Sequence, residues 1–217
     1  MAQVVCLTFN PFQENTYLIY DDTKACIIID PGCLDQAEKA ELTSTIEELK
    51  LRPVRLINTH CHLDHIFGNR FVAEKYGLSL EIHSGEIPVL ERAPQAAMTY
   101  GIPYPELSPA PGDFIEEGHI IEFGNTKLQA ILTPGHSPAS LSFFCEAHNF
   151  LIAGDVLFYG SIGRTDLPGG DYDTLIESIT EKLLPLGDDV EVYPGHGPST
   201  TIGFERINNP FLTDNRL

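Results

Sequence analysis

The sequence predicts an α/β protein, and three observations carry that expectation. Strand-like apolar runs recur along the 217 residues, segments with apolar residues at helical spacing lie between them, and metal-donor side chains gather just after the Gly or Pro that ends a strand-like run. At 42% hydrophobic content the chain can bury a full core, and it reads as one domain over residues 1–217 with no separate C-terminal helical domain.

From the N-terminus, Val4-Val5-Cys6-Leu7 is strand-like and residues 15–20 alternate loosely toward a strand. Asp21-Asp22-Thr23-Lys24 has turn composition, and residues 25–29 form a continuous apolar run, so a hairpin opens a sheet. Within residues 35–50, Leu42, Ile46 and Leu49 fall at helical spacing, which predicts an outer helix with a solvated acidic face. Residues 54–59 read as a half-buried strand and residues 66–76 as a helix through Phe67, Phe71 and Val72.

Between residues 84 and 113, Pro88, Pro94, Pro103, Pro105, Pro109 and Pro111 leave room for one short helix around 86–98 and then loop. Met98, Tyr100, Tyr104 and Leu107 make this stretch either a lid over a site or a connector. Residues 128–132, 150–153 and 190–193 are strand-like. Residues 174–184 carry Leu175, Ile179 and Leu183 on one helical side.

The chemistry concentrates in His60-Cys61-His62-Leu63-Asp64-His65, where HxHxDH places four nitrogen or oxygen donors in six residues on a strand-to-helix loop. In an extended stretch His60 and His62 share one side and Cys61 faces the other, while Asp64 and His65 fall near the helix start, whose unpaired amides orient a carboxylate. The same order of strand, break and donor recurs three times. Thr133-Pro134-Gly135 leads to His136, Gly154 to Asp155, and Pro194-Gly195 to His196. Any one of these is ordinarily just a loop residue, but seven polar donors at strand ends together point to bound metal. Seven exceed the four donors a zinc ion takes, so the economical reading is two ions about 3.5–4 Å apart, with Asp155 the natural bridge. Such a pair lowers the pKa of a bound water toward ~7. His83, His119 and His148 lack this context and read as structural or surface residues.

Thirty-one acidic against thirteen basic residues give a net charge of −18, which opposes binding to phosphate backbones and anionic lipid, so neither nucleic acid nor membrane is an expected partner. No segment approaches ~18 uninterrupted apolar residues, and Met1-Ala2-Gln3 opens directly into a strand, so the expected location is cytoplasmic. The five cysteines, Cys6, Cys26, Cys33, Cys61 and Cys145, contain no CxxC pair, and their odd number argues against a disulfide framework. They read mostly as core fillers; Cys61 alone, between two donors, is either a close neighbour of the metals or an oxidation-sensitive thiol. Gly160, Gly163, Gly169 and Gly170 permit a tight excursion after Asp155. Arg164, within it, either holds a substrate carboxylate or pairs with Asp166 or Asp173 as a loop clamp.

HxHxDH followed by a distant His, Asp and His resembles the pattern of the metallo-β-lactamase superfamily, with all seven positions matching. The resemblance runs from Asn15-Thr16-Tyr17 and Ile28-Ile29-Asp30-Pro31-Gly32 to Gly195-His196-Gly197. It implies an αββα sandwich, two facing mixed sheets with helices on the outer faces and the metals at one edge. It also implies that His60, His62 and His136 hold one metal, that Asp64, His65 and His196 hold the other, that Asp155 bridges, and that Asp64 and Asp155 are the catalytic carboxylates. Two zinc ions are the expected cofactor, with iron or manganese as alternatives, since imidazole and carboxylate accept all three.

Within the superfamily, Gly163-Arg164-Thr165-Asp166, Leu167-Pro168-Gly169-Gly170 and Tyr193-Pro194-Gly195-His196-Gly197-Pro198 resemble the short bacterial glyoxalase II type, the hydroxyacylglutathione hydrolases. That implies hydrolysis of a small, anionic thioester by a metal-bridging hydroxide, with Arg164 near the anionic end of the substrate. Larger members carry a helical C-terminal domain and have Glu and Tyr after the last ligand, where this chain has Gly197 and Pro198. The main rival is a mononuclear iron persulfide dioxygenase using His60, His136 and Asp155, although Leu-Pro-Gly-Gly after Asp166 departs from it. A lactonase of the same superfamily also fits HxHxDH, and a metal-binding scaffold without turnover is the non-enzymatic alternative.

Overall fold

The computed structural model describes residues 1–104 and 106–213; Pro105 of the proline-rich stretch lies outside them. The chain forms two compact units, residues 1–115 with 122–127, and residues 116–121 with 128 onward.

In the first unit the elements are β1 (Gln3–Phe9), β2 (Glu14–Tyr20), β3 (Ala25–Ile29), α1 (Gln36–Glu48), β4 (Arg52–Ile57), α2 (Asn69–Tyr76), β5 (Leu80–Ile82), α3 (Ile87–Tyr100) and β6 (Pro111–Phe114). The strands form one six-stranded sheet in sequence order. The hairpin pairings β1/β2 and β2/β3 are antiparallel, and the pairings β3/β4, β4/β5 and β5/β6 are parallel. A parallel neighbour cannot be reached by a tight turn, so each of these steps spends a helix as its crossover: α1, α2 and α3 in turn. The uninterrupted Ala25-Cys26-Ile27-Ile28-Ile29 run is buried at every position, as a strand covered on both faces must be. Phe9, Leu18, Ile28, Leu42, Leu56, Ile66, Val72 and Leu80 belong to its core.

Helix boundaries follow local chemistry. Asp35 caps α1 through the amides of Ala37 and Glu38, and Glu38 returns the bond in a capping box. α2 begins at Asn69, later than residue 66, because Leu63–His65 close a 3-10 turn ahead of it. Asp64 and His65 therefore sit in that turn and not at the helix start. Gly77 and Gly101, both at φ 66°, terminate α2 and α3 in the left-handed conformation. Loop follows α3 as expected, but Pro111–Phe114 then pairs with β5 as an edge strand, where a proline is tolerated.

The second sheet, mostly in the second unit, contains β7 (Ile120–Phe123), β8 (Thr126–Leu132), β9 (Leu141–Cys145), β10 (Phe150–Gly154), β13 (Glu191–Pro194) and β14 (Thr200–Thr201) in the order β14-β13-β10-β9-β8-β7, residues 122–127 of β7 and β8 grouping with the first unit. β11 (Leu157–Phe158) and β12 (Ser161–Ile162) make a separate small hairpin. Helices α4 (Tyr172–Glu177), α5 (Ile202–Asn208) and α6 (Pro210–Thr213) complete the unit. The helix expected over 174–184 is α4 followed by a π turn, Ser178–Leu183, and a 3-10 turn, Leu184–Leu186. Leu175, Ile179 and Leu183 nonetheless enter one core with Leu151, Val156, Val190, Val192 and Ile202. No helix among the described residues is long and apolar enough to cross a membrane.

Candidate metal centre

Parallel strands present their C-terminal ends at one edge, and in the first sheet this edge carries the chemistry. β3 runs out at Asp30, β4 at Asn58-Thr59-His60, and β5 at the turn Ser84–Glu86. Asp30, at φ 50°, spends about 1 kcal/mol of backbone strain to turn its carboxylate inward. Its Oδ1 accepts the Thr59 amide at 2.7 Å and the Asn58 side-chain amide at 3.2 Å. Its Oδ2 accepts the Thr59 hydroxyl at 2.6 Å and His65 Nδ1–H at 3.1 Å.

These contacts fix tautomers. The Thr59 hydroxyl hydrogen goes to the Asp30 carboxylate, so the 3.0 Å contact between Thr59 Oγ1 and His60 Nδ1 has the imidazole as donor. His60 and His65 thus both carry hydrogen on Nδ1, which puts the lone pair on Nε2, the nitrogen a metal takes. The rings of His60 and His62 meet edge-on with centroids 4.7 Å apart, and those of His60 and His65 lie 4.1 Å apart. Asp64 Oδ2 is 3.8 Å from His65 Nε2.

The loop backbone is held as carefully as its rings. Asn10 donates to the carbonyls of Gly32 and Asp64, both at 3.0 Å, and Asn58 donates to the carbonyl of His65 at 2.9 Å. Gly32 is required where it stands, since a Cβ there would lie 2.7 Å from the Asp64 carbonyl oxygen. Glu86, fully buried, accepts the Cys61 amide at 2.9 Å. Burial, reinforced by Glu86 and Asp30, pushes the Cys61 thiol well above its ordinary pKa, as fits a side chain packed in the core. Beneath the loop, burial raises the Glu14 carboxyl well above the usual carboxylate range; His65 opposes this, while Asp30 and Asp64 add to it.

In the second unit β10 and β13 are parallel, and β9 is antiparallel to both β8 and β10, so β8, β10 and β13 also end at one edge. His136, Asp155 and His196 follow those ends. Asp155 Oδ2 stands 3.4 Å from His136 Nε2 and 3.5 Å from His196 Nε2. His136 Nδ1 faces the Arg164 carbonyl at 2.7 Å, and since a carbonyl only accepts, His136 has the same tautomer as His60 and His65. Gly163 lets the chain pass this close, because a Cβ there would lie 3.2 Å from His136 Cβ and 3.0 Å from the Asp155 carbonyl carbon. Phe158 meets His196 edge-on at 6.2 Å, and Tyr159 stacks on Phe204 at 4.8 Å. The hairpin that carries both is anchored by buried Glu205, which accepts the Gly160 amide and the Thr200 hydroxyl.

Arg164 forks onto Asp166 with two 2.7 Å bonds, the clamp geometry, and this guanidinium holds the Asp166 carboxyl down to about 2. His83 and His119 accept backbone amides of Gly85 and Glu116, a structural use. Tyr104 packs edge-on against Phe67 at 5.9 Å, and Arg70 donates to the Leu107 carbonyl, so the stretch after α3 is tied to α2 and its approach.

The structure thus gathers His60, His62, Asp64 and His65 in one unit and His136, Asp155 and His196 in the other. The donor chemistry fits divalent metal: carboxylates stand beside imidazoles, of which those of His60, His65 and His136 are in the ligating tautomer, each backed by its own acceptor. Reading by motif missed Asp30, Asn10, Glu86 and the Arg164 carbonyl. Asp30 alone left a trace, an acid at a strand end before Pro31-Gly32.

Comparison with known proteins agrees with this chemistry. Residues 9–196 match the metallo-beta-lactamase superfamily. The chain is 41% identical over 202 residues to hydroxyacylglutathione hydrolase GloC of Haemophilus influenzae, covering 93% of each chain. It is 40% identical over 205 residues to the probable metallo-hydrolase YqgX of Bacillus subtilis, again covering 93% of each. Among solved structures, the di-iron-bound form of TTHA1623 superposes with a TM-score of 0.87 at 37% identity, over 96% of this chain and 100% of that one.

Proposed function

Since the chain belongs to the metallo-β-lactamase superfamily, with its fold and as a metallo-hydrolase, we propose that it hydrolyses small anionic thioesters. The substrate class is the S-2-hydroxyacyl ester of glutathione or a related thiol, and the cofactor is two zinc ions. What carries the reading is the shared tautomer of His60, His65 and His136, each with Nδ1 spent on a protein acceptor and Nε2 left to ligate. Likeness to a hydroxyacylglutathione hydrolase over 93% of each chain supports a thioester as the scissile bond.

Following the family order, His60, His62 and His136 are assigned to one ion, Asp64, His65 and His196 to the other, and Asp155 to both. When bound, such a pair would supply Lewis acidity and lower the pKa of a water toward ~7. Asp64 and Asp155 orient the attacking water. Its oxygen bonds to the thioester carbonyl carbon, the C–S bond breaks, and a water proton ends on the departing sulfur, giving a 2-hydroxy acid and a thiol. Arg164 meets the anionic end of the substrate, for which Asp166 must share its fork. A thiol product and five free cysteines suit a reducing, cytoplasmic setting. Nucleic acid and membrane are not partners in this reading, given the net charge of −18.

In a second reading, a mononuclear iron persulfide dioxygenase, the metal is iron, which TTHA1623 also takes though as a di-iron pair. One experiment separates the two. Protein of measured metal content is offered lactoyl thioesters of glutathione, coenzyme A and shorter thiols, with and without oxygen, and thiol release is followed. Metal-dependent release that ignores oxygen is expected; one iron per chain with obligatory oxygen consumption would overturn the hydrolase.

A further inference from the structure

We propose that Glu86 is a positioning residue for the metal centre, acting through the backbone amide between His60 and His62. The inference rests on the metal site of the reading above, though not on its substrate. β4 and β5 are parallel neighbours, so the loop leaving β4 with the histidines and the turn leaving β5 with Glu86 emerge at the same edge of the sheet. Glu86 is 0% exposed and Cys61 1%. The Glu86 carboxylate accepts the Cys61 N–H at 2.9 Å.

That amide belongs to the peptide plane joining His60 to Cys61, and fixing it sets how His60 and His62 are splayed from one another. His60 is already held from the other side by Thr59, itself gripped by Asp30. The loop therefore has two carboxylate anchors, one on each flank of His60. A buried N–H deprived of its acceptor does not stay in place; the peptide rotates toward whatever oxygen or water it can reach, and the flanking imidazoles rotate with it. A carboxylate suits this post because it only accepts, so it has no alternative orientation that would turn a donor toward the amide. The turn that presents it is itself pinned, with the Gly85 amide on His83 Nδ1 and the Glu86 amide on the His83 carbonyl.

Two conservative variants separate reach from charge. E86D keeps the charge and withdraws the oxygen by one methylene; E86Q keeps the reach and removes the charge. Zinc affinity of the purified full chain is measured by competition with a chromophoric chelator, alongside the melting temperature of the metal-free protein. E86D is expected to weaken zinc binding by ~10–100-fold, the range for lost partners of metal ligands, and E86Q to bind near the parental value. Parental affinity in E86D would overturn the proposal, as would a loss in E86Q equal to that in E86D. So would lowered melting of both with zinc affinity intact, the signature of a purely structural carboxylate. If E86D does not fold, E86A takes its place: a loss of ~10-fold or more supports the role and parental affinity sinks it. A parent that binds zinc but cleaves no thioester would refute the proposed substrate and leave this inference standing; a parent that binds no zinc would overturn both.

Discussion

Asp30 shows how one side chain can organise two neighbouring imidazoles at once. Its two oxygens take four donors, among them His65 Nδ1–H and the Thr59 hydroxyl that orients His60. D30N is therefore expected to set an amide N–H against one of those donors and weaken zinc binding by ~10–100-fold, measured by chelator competition. H62A should behave differently. His62 lies on the loop beyond β4, so its loss should abolish most thioester turnover while moving the melting temperature little; an equal loss of both would make the metals chiefly structural. The donors were legible because HxHxDH compresses four of them into one hexapeptide. Their supports were not. Asp30 and His65 are 35 positions apart, Glu86 and Cys61 are 25 apart, and Asn10 and Arg164 act on or through backbone carbonyls, which no side-chain pattern reveals.

Among elements, the turn between β2 and β3 makes a testable acid switch. Asp21 is buried, which on its own would raise its carboxyl, but the Thr23 hydroxyl and amide, the Asn125 amide and the Thr126 hydroxyl outweigh that and hold it down to about 2. A depressed folded pKa stabilises the protein above the ordinary value of 3.8, and that contribution is lost as pH falls through about 2. The parent should thus show an acid-destabilisation limb in this window that D21N lacks, having already given up the stabilisation at neutral pH. Melting temperatures from pH 5 to about pH 2 would read it, and parallel limbs would refute the assignment. Element order was legible because β3, β8, β10 and β13 are apolar runs closed by Gly, Pro or Asp. Boundaries were less so. The start of α2 moved because Leu63–His65 spend their turn on the donors, and the helix after residue 174 loosened into a π turn where Ser178 bonds the Pro134 carbonyl. β5 and β9 are short and sit between stronger signals, so periodicity did not announce them.

For the whole molecule, metal and net charge are the two levers. A ligand at ~1,000 times its Kd stabilises the folded state by about 4 kcal/mol, and a chain of this size shifts its melting temperature by about 2–4 °C per kcal/mol, so chelation should lower melting by roughly 10 °C. Charge acts on encounter. With thirty-one acidic and thirteen basic residues, an anionic thioester approaches a net field of −18 before it meets any local cation. The Debye length falls from about 30 Å at 0.01 M salt to about 10 Å at 0.1 M, so added salt screens the long-range repulsion first and leaves contacts inside the site nearly untouched. For lactoylglutathione, kcat/KM should accordingly rise with ionic strength over that range, while kcat holds and an uncharged thioester shows no trend. If kcat/KM falls instead, the field at the mouth of the site is positive despite the overall charge. R164A would then locate its source, because losing the salt dependence along with the side chain would mean that Arg164 steers the substrate in addition to clamping its own loop.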